Sequence, residues 1–172
     1  MLSSVRFSVI YSGVHAAPPH VQGVAGGVAL QADGTESPDY TDRLGHGTAV
    51  TAVIRALAPD AEVYAVKVFH ERLSTSIETL VRGIDWAIDN GMQVVNLSLG
   101  TSKPEHAALL SEAVGRTVAR DVIIVAAKGW LPGDLPHVIP VALDWERPWG
   151  ECREANGVYY ACGYPRPIPG VP

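Results

Sequence analysis

The stretch Val9-Ile10-Tyr11-Ser12-Gly13-Val14-His15 holds an apolar run that stops at a polar side chain followed by Ser-Gly. A buried parallel strand ends in this way where it delivers a side chain to the carboxyl edge of a sheet, and α/β proteins place their ligand sites at that edge. Tyr11 stands at this point. The stretch therefore predicts a parallel sheet whose first strand presents Tyr11 at a functional edge.

Further apolar runs of strand length recur along the chain. They predict strands at residues 5–11, 24–30, 62–69, 93–98, 122–127 and 138–143, with one more short strand at 157–161. Several of these runs are continuous rather than alternating, which is typical of strands that are covered on both faces.

Three helices are predicted between these strands. The first runs from Gly47 to Leu57. The second follows the capping-box pattern Thr75-Ser76-Ile77-Glu78, and the third follows the similar pattern Ser102-Lys103-Pro104-Glu105. Because strands and helices alternate, the predicted fold class is α/β, a doubly wound parallel sheet in three α/β/α layers.

The size and composition of the chain limit the classes of function that it could have. Its 172 residues predict a single domain, 1–172, and a net charge of −5 without a basic block excludes a nucleic-acid partner. The longest apolar run, 122–127, is too short to cross a membrane, and residues 1–7 lack the apolar stretch of a signal peptide. We therefore expect a cytoplasmic protein that needs no cofactor, with Cys152 and Cys162 as free thiols rather than a disulfide.

The segment Asp42-Arg43-Leu44-Gly45-His46-Gly47-Thr48-Ala49-Val50 is the most informative for chemistry. Glycines flank a histidine at the start of the first helix, so a substrate backbone could approach the imidazole ring. A histidine here could serve as a general base, because its ordinary pKa lies close to neutrality. Taken alone the pattern is weak, since most surface histidines beside glycine have no catalytic role.

Three further segments, read together with the histidine segment, support a catalytic role for His46. The sequence LGHGTAVTAVI (44–54) resembles the histidine motif of the subtilisin-like serine peptidases, and VIYSGVHAAPPHVQG (9–23) resembles their aspartate motif. The sequence AIDNGMQVVNLSLG (87–100) is similar to their substrate-binding strand, and VIIVAAKGW (122–130) to the strand that follows it. The four motifs occur in the order of the family. The small size further resembles members that trim leader peptides from modified small proteins.

The resemblance implies a subtilisin-like fold, acyl transfer to a serine, and a peptide or protein substrate. It makes His46 the general base, and it places Tyr11 where the family has its catalytic aspartate. Ser98, Leu99 and Gly100 would bind the substrate. Lys128 would be a weak candidate for the donor that stabilises the oxyanion.

The chain departs from the family at two catalytic positions. A tyrosine phenol is neutral at physiological pH and cannot stabilise an imidazolium, whereas loss of the aspartate alone slows subtilisin by roughly 3 × 10⁴-fold. Asp39 and Asp42 could replace it, although we expect them to solvate the loop or cap the helix. A zinc site formed by Asp42, His46 and His15 or His20 fits no common ligand spacing. No serine follows Ser111, so the serine-bearing segment is apparently lacking.

These departures leave two main hypotheses. The first is a serine endopeptidase that processes a leader or propeptide, altered so that the present chain is inactive. The second is a pseudopeptidase that binds an extended peptide or a partner protein without cleaving it. A nucleotide-binding domain, based on Gly23, Gly26 and Gly27, is a poor third hypothesis, because these glycines precede a strand instead of opening a helix.

Overall fold

The computed structural model describes residues 4–164, and it contains a nine-stranded sheet. The strands are β1 (Arg6–Tyr11), β2 (Gly26–Leu30), β3 (Glu36–Ser37), β4 (Glu62–Lys67), β5 (Val94–Leu97), β6 (Ile123–Ala127), β7 (Val138–Leu143), β8 (Cys152–Ala155) and β9 (Val158–Ala161). Their spatial order is β3-β2-β4-β1-β5-β6-β7-β9-β8. The pairs β2–β3 and β8–β9 are antiparallel and all the other neighbours are parallel.

The helices are α1 (His46–Leu57), α2 (Ile77–Asp89) and α3 (Ala107–Val118), the last preceded by a 3₁₀ turn at Pro104–His106. Helices α2 and α3 pack against each other, and the main core between them and the sheet includes Ile10, Val66 and Ile84. A second, smaller core contains Val14, Val21 and Ala65. Since neighbouring strand residues such as Ala65 and Val66 point to opposite faces, both faces of the sheet are covered. The doubly wound α/β fold is therefore confirmed.

All the predicted strands and helices are present, the bounds given for them agree with the structure to within two residues, and those of β7 are identical. The capping-box pattern predicts Thr75 as the N-cap of α2, and this is wrong. The N-cap is Ser76, whose hydroxyl accepts the Thr79 N–H at 3.1 Å. The second pattern was wrong for α3, which begins after the 3₁₀ turn without a side-chain cap. Strands β3 and β8 were not predicted.

The parallel arrangement sets the position of the site. The carboxyl ends of β1, β4 and β5 lie side by side, with Tyr11 in register with Lys67 at the ends of their strands. Across residues 4–164, no helix combines the length and apolar character needed to cross a membrane.

Candidate active site

The end of β1 is joined closely to the start of α1. The Ser12 hydroxyl is fully buried and accepts the Gly47 N–H at 2.9 Å. A Cβ atom on Gly47 would lie 2.0 Å from the carbonyl oxygen of Gly13, so this approach of helix to strand requires glycine. Gly13 itself has a φ of +94°, which glycine adopts without strain. The Ser-Gly sequence after Tyr11 and the glycine after His46 therefore form one packing unit.

Asp42 holds the loop that leads into α1. One carboxylate oxygen accepts the N–H groups of Leu44 and Gly45, at 2.9 and 2.8 Å, and the other accepts the N–H and hydroxyl of Thr48, at 2.9 and 2.6 Å. Burial tends to raise the pKa of this carboxyl, but the hydrogen bonds led by Thr48 outweigh it and hold the pKa below the usual value. Asp42 thus stabilises the start of the helix, and its recorded contacts do not include His46.

Tyr11 and His46 are adjacent at this edge. Their ring centroids are 5.6 Å apart and the ring planes are inclined at 72°, an edge-on contact. Phe69 packs against the other side of Tyr11, with centroids 5.3 Å apart. Within the described residues, no hydrogen bond joins the phenol to the imidazole. Burial raises the pKa of the phenol, which therefore stays neutral near pH 7.

The two rings line a cavity of about 590 Å³, which we call the His46 cavity. Asn96 and Ser98 line it as well, and the Asn96 amide donates a hydrogen bond of 2.9 Å to the Ser98 hydroxyl. The rest of the wall is largely apolar and comes from α1 and the β7–β9 region, including the residues Val50, Val53, Ile54, Leu57, Val141 and Trp149. The edge of the sheet thus brings residues 11, 46 and 98 together.

Leu99 and Gly100 line a different cavity of about 260 Å³, here the Leu99 cavity. The chain continues into a short antiparallel bridge in which Thr101 and Leu131 exchange two hydrogen bonds of 3.0 Å. In the described part of the chain, the backbones of Leu99 and Gly100 make no recorded backbone hydrogen bond. Their N–H and C=O groups are therefore available to an added strand.

Lys128 is not brought to the His46 cavity. Its ammonium lies 2.6 Å from an Asp134 carboxylate oxygen, which also accepts the Gly129 N–H at 2.9 Å. The hydrogen bond from Lys128 is the main reason why the pKa of Asp134 is lowered. Lys128 thus serves to close its own loop, and a role at the oxyanion stays a prediction without geometric support.

The remaining candidates fall into two groups. Asp39 lies 3.6 Å from Arg43 in the loop before α1, as a loop-solvating residue would. Cys152 and Cys162 are free thiols on the β8–β9 side of the His46 cavity. Among residues 4–164, no three His, Cys, Asp or Glu side chains are grouped closely enough to hold a metal ion.

Sequence reasoning missed two contributors to the cavity wall. Asn96 could have been recognised, because it stands two residues before Ser98 and so points to the same side of the strand. The contributions of residues 149–152 and 162–164 had no sequence signal, since neither segment shows hydrophobic periodicity.

Comparisons with known proteins agree with this architecture. The model of the Subtilase family (peptidase S8) matches residues 17–133. Subtilisin Savinase of Lederbergia lenta is 38% identical over 137 residues, which are 74% of this chain and 48% of that protein. The minor extracellular protease Epr of Bacillus subtilis is 35% identical over 135 residues, 73% of this chain and 20% of that protein.

Two solved structures share the fold. The nisin leader peptidase NisP of Lactococcus lactis superposes with a TM-score of 0.72 and 23% identity, covering 83% of this chain and 56% of that one. A lanthipeptide protease gives a TM-score of 0.69 and 22% identity, covering 80% and 47%. The chain spans half or less of the curated relatives cited. With its histidine motif, its sheet topology and a family match over residues 17–133, the chain belongs to the subtilase family of serine peptidases.

Proposed function

We propose that residues 1–172 form a single subtilisin-like peptidase domain that binds peptide or protein substrates in an extended conformation, for the processing of a leader or propeptide. The observation that carries this proposal is the convergence of Tyr11, His46 and Ser98 on one cavity at the carboxyl edge of the sheet. The names of two structural neighbours, a nisin leader peptidase and a lanthipeptide protease, favour leader peptides as the substrate class. We place the domain in the cytoplasm, where its two free thiols would stay reduced.

We further propose that this chain does not hydrolyse peptides by itself. Acyl transfer needs a nucleophile beside the base and a carboxylate behind it. Tyr11 supplies a neutral phenol at the second position, and residues 112–172 contain no serine. Ser98 lines the cavity, but Asn96 already donates a hydrogen bond to its hydroxyl, and within residues 4–164 no base is hydrogen-bonded to it.

Binding is tested with a fluorescein-labelled positional-scanning library of hexapeptides, read by fluorescence anisotropy. We expect saturable binding that Leu99→Pro weakens at least tenfold, because proline removes an N–H that an added strand would use. Leu99→Ala is the matched control, since it shortens the side chain and keeps the N–H. Absence of saturable binding, or equal affinity in the wild type and the Leu99→Pro variant, would overturn the proposal.

Inactivity is tested with a fluorophosphonate probe and an internally quenched peptide. We expect neither labelling nor turnover from the wild type or from Tyr11→Asp, because the variant restores only a carboxylate. Labelling that disappears in Ser98→Ala would refute the inactivity proposal and identify Ser98 as the nucleophile.

A non-catalytic pseudopeptidase is the second candidate, favoured by the tyrosine at the position where the resemblance places the aspartate of the family. The genomic DNA beyond codon 172 discriminates between the two. An open frame that encodes a Gly-x-Ser helix supports the peptidase, and an immediate stop codon supports the binding protein.

A further inference from the structure

A third cavity, of about 460 Å³, lies at the carboxyl ends of β2 and β4, and we call it the Lys67 cavity. It is formed where the loop after β4 meets the β2–β3 hairpin and the loop that precedes α1. Its wall includes three basic side chains, Arg43, Lys67 and Arg72. This is the most strongly charged of the cavities along the functional edge, and the proposed catalytic residues do not line it.

Lys67 is the unusual member of this wall. The residue is only 4% exposed, yet its ammonium makes a single recorded hydrogen bond, to the Thr41 carbonyl oxygen at 2.6 Å. In the described part of the chain it forms no ion pair. Burial is the main cause that lowers its pKa, and the nearby Arg43 charge acts in the same direction, whereas the charges of Asp39 and Asp42 act in the opposite direction. A buried cation without a close ion pair is costly, and a bound anion stabilises it.

The acids of this cavity neutralise its cations only in part. Asp39 lies 3.6 Å from the Arg43 guanidinium, and its carboxylate also accepts the Thr41 N–H. Glu71 is exposed, and within residues 4–164 it has no recorded ion pair. Arg72 is likewise exposed, with no recorded carboxylate partner among those residues. Arg72 is thus open to an external carboxylate, and the buried Lys67 lies in the same cavity wall without an ion pair among residues 4–164.

The Lys67 cavity adjoins the Leu99 cavity, which lies on the proposed peptide path. Ser74 lines both this cavity and the Leu99 cavity, where the backbones of Leu99 and Gly100 are available for strand addition. An extended peptide at Leu99 therefore has a side chain within reach of Ser74. We propose that the Lys67 cavity is a subsite that binds the carboxylate of an acidic side chain in the bound peptide. This inference rests on the proposed function, because it requires a peptide at that edge.

The test compares two fluorescein-labelled octapeptides, one with alternating Ala and Glu and one with alternating Ala and Gln. At low salt we expect the Glu peptide to bind the wild type about tenfold more tightly, the size of one charge-assisted contact. Arg72→Gln is expected to reduce this ratio at least threefold, and Lys67→Met to abolish it. Arg120→Gln, an exposed charge at the end of α3, is the matched control and leaves the ratio unchanged.

Two results would overturn the subsite. One is equal affinity of the wild type for both peptides, and the other is a Glu preference that survives in both Arg72→Gln and Lys67→Met. Thermal unfolding checks that Lys67→Met is folded, and Arg72→Gln carries the test alone if it is not, because Arg72 is exposed.

A titration with sodium acetate distinguishes refutation of the subsite from refutation of the proposed peptide binding. If neither octapeptide binds but acetate shifts the Arg72 Nε–H resonance in a saturable way, the cavity binds free carboxylates and the peptide proposal is wrong. If the octapeptides bind equally well and acetate shifts nothing, peptide binding stands and the subsite is refuted.

Discussion

At the scale of single residues, Tyr11 determines what this site can do. A carboxylate in its place would stabilise a positive imidazole beside it, whereas the neutral phenol only packs against the ring edge. Its contacts with His46 and Phe69 make it part of an aromatic row at the end of β1. A phenol at this position thus makes an apolar contact with His46 where a carboxylate would make an electrostatic one.

Ultraviolet titration tests the environment of Tyr11. Burial raises the pKa of its phenol above the ordinary value of 10.0. The difference in phenolate absorbance between the wild type and Tyr11→Phe isolates this one tyrosine among six, and we expect its midpoint above pH 10. Because the unfolded chain releases this proton first, the contribution of Tyr11 to stability falls as the pH rises past 10. A midpoint at or below 10 would contradict the buried placement.

Asp42 is the second residue whose role can be measured. Asp42→Ala removes four hydrogen bonds at the start of α1, so we expect the free energy of unfolding at pH 7 to fall by about 2 kcal/mol in urea titrations. Since the folded-state pKa lies below the usual 3.8, the charged carboxylate stabilises the fold above that pH. This contribution is lost as the pH falls through the folded-state pKa.

The pH dependence supplies the control. The difference in stability between the wild type and Asp42→Asn is expected to shrink below about pH 4. Asp60→Asn changes the same charge at an exposed carboxylate and is expected to stay within 0.5 kcal/mol, roughly, of the wild type. A difference for Asp42→Asn that stays constant from pH 7 to pH 3 would argue against the carboxylate as the stabilising species.

At the scale of elements, the contact between β1 and α1 positions His46. We expect Gly47→Ala to lower the free energy of unfolding by about 3 kcal/mol, because its Cβ would lie 2.0 Å from the Gly13 carbonyl oxygen. Gly115→Ala in α3 is the matched control, since its Cβ meets no atom within 4 Å. It is expected to stabilise the protein by about 0.5–1 kcal/mol. Equal effects of the two variants in chemical denaturation would refute the close contact.

The sequence predicted the elements with a strong hydrophobic period and missed those without one. Strands such as β6 and β7 are continuous apolar runs, so their existence followed from their hydrophobicity alone. Strand β3 has two residues, and β8 begins at Cys152 in a polar stretch, so neither carries a hydrophobic pattern. The N-cap of α2 was misplaced because Thr75 and Ser76 are equally good caps by type, and only backbone geometry selects one of them.

The site was predictable in part for a similar reason. Tyr11, His46 and Ser98 each stand at the end or start of a buried element, so the topology of a parallel sheet placed them at one edge. The division between the His46 and Leu99 cavities could not be foreseen, because each wall combines residues that are distant in the sequence. The ion pair between Lys128 and Asp134 could not be predicted either, because it depends on the conformation of the loop that joins them.

At the scale of the whole molecule, three cavities follow the carboxyl edge of the sheet from β2 to β9. The Lys67 cavity is charged, whereas the His46 cavity is bordered by the apolar side of α1. Such an edge can recognise a peptide over several residues, with backbone pairing at Leu99 and side chains on either side. Recognition and hydrolysis are separable here, because binding needs only the edge and hydrolysis needs a nucleophile and a carboxylate.

The central claim is that this edge gathers Tyr11 and His46 around one peptide-binding cavity. The most direct measurement is a titration of protein carrying ¹³C-labelled tyrosine and histidine with the tightest-binding library hexapeptide, followed by aromatic NMR resonances. The account predicts a nuclear Overhauser contact between the rings of Tyr11 and His46, and saturable shifts of both with one common Kd. Rings without mutual contact, or shifts at neither residue when the peptide is bound, would contradict it.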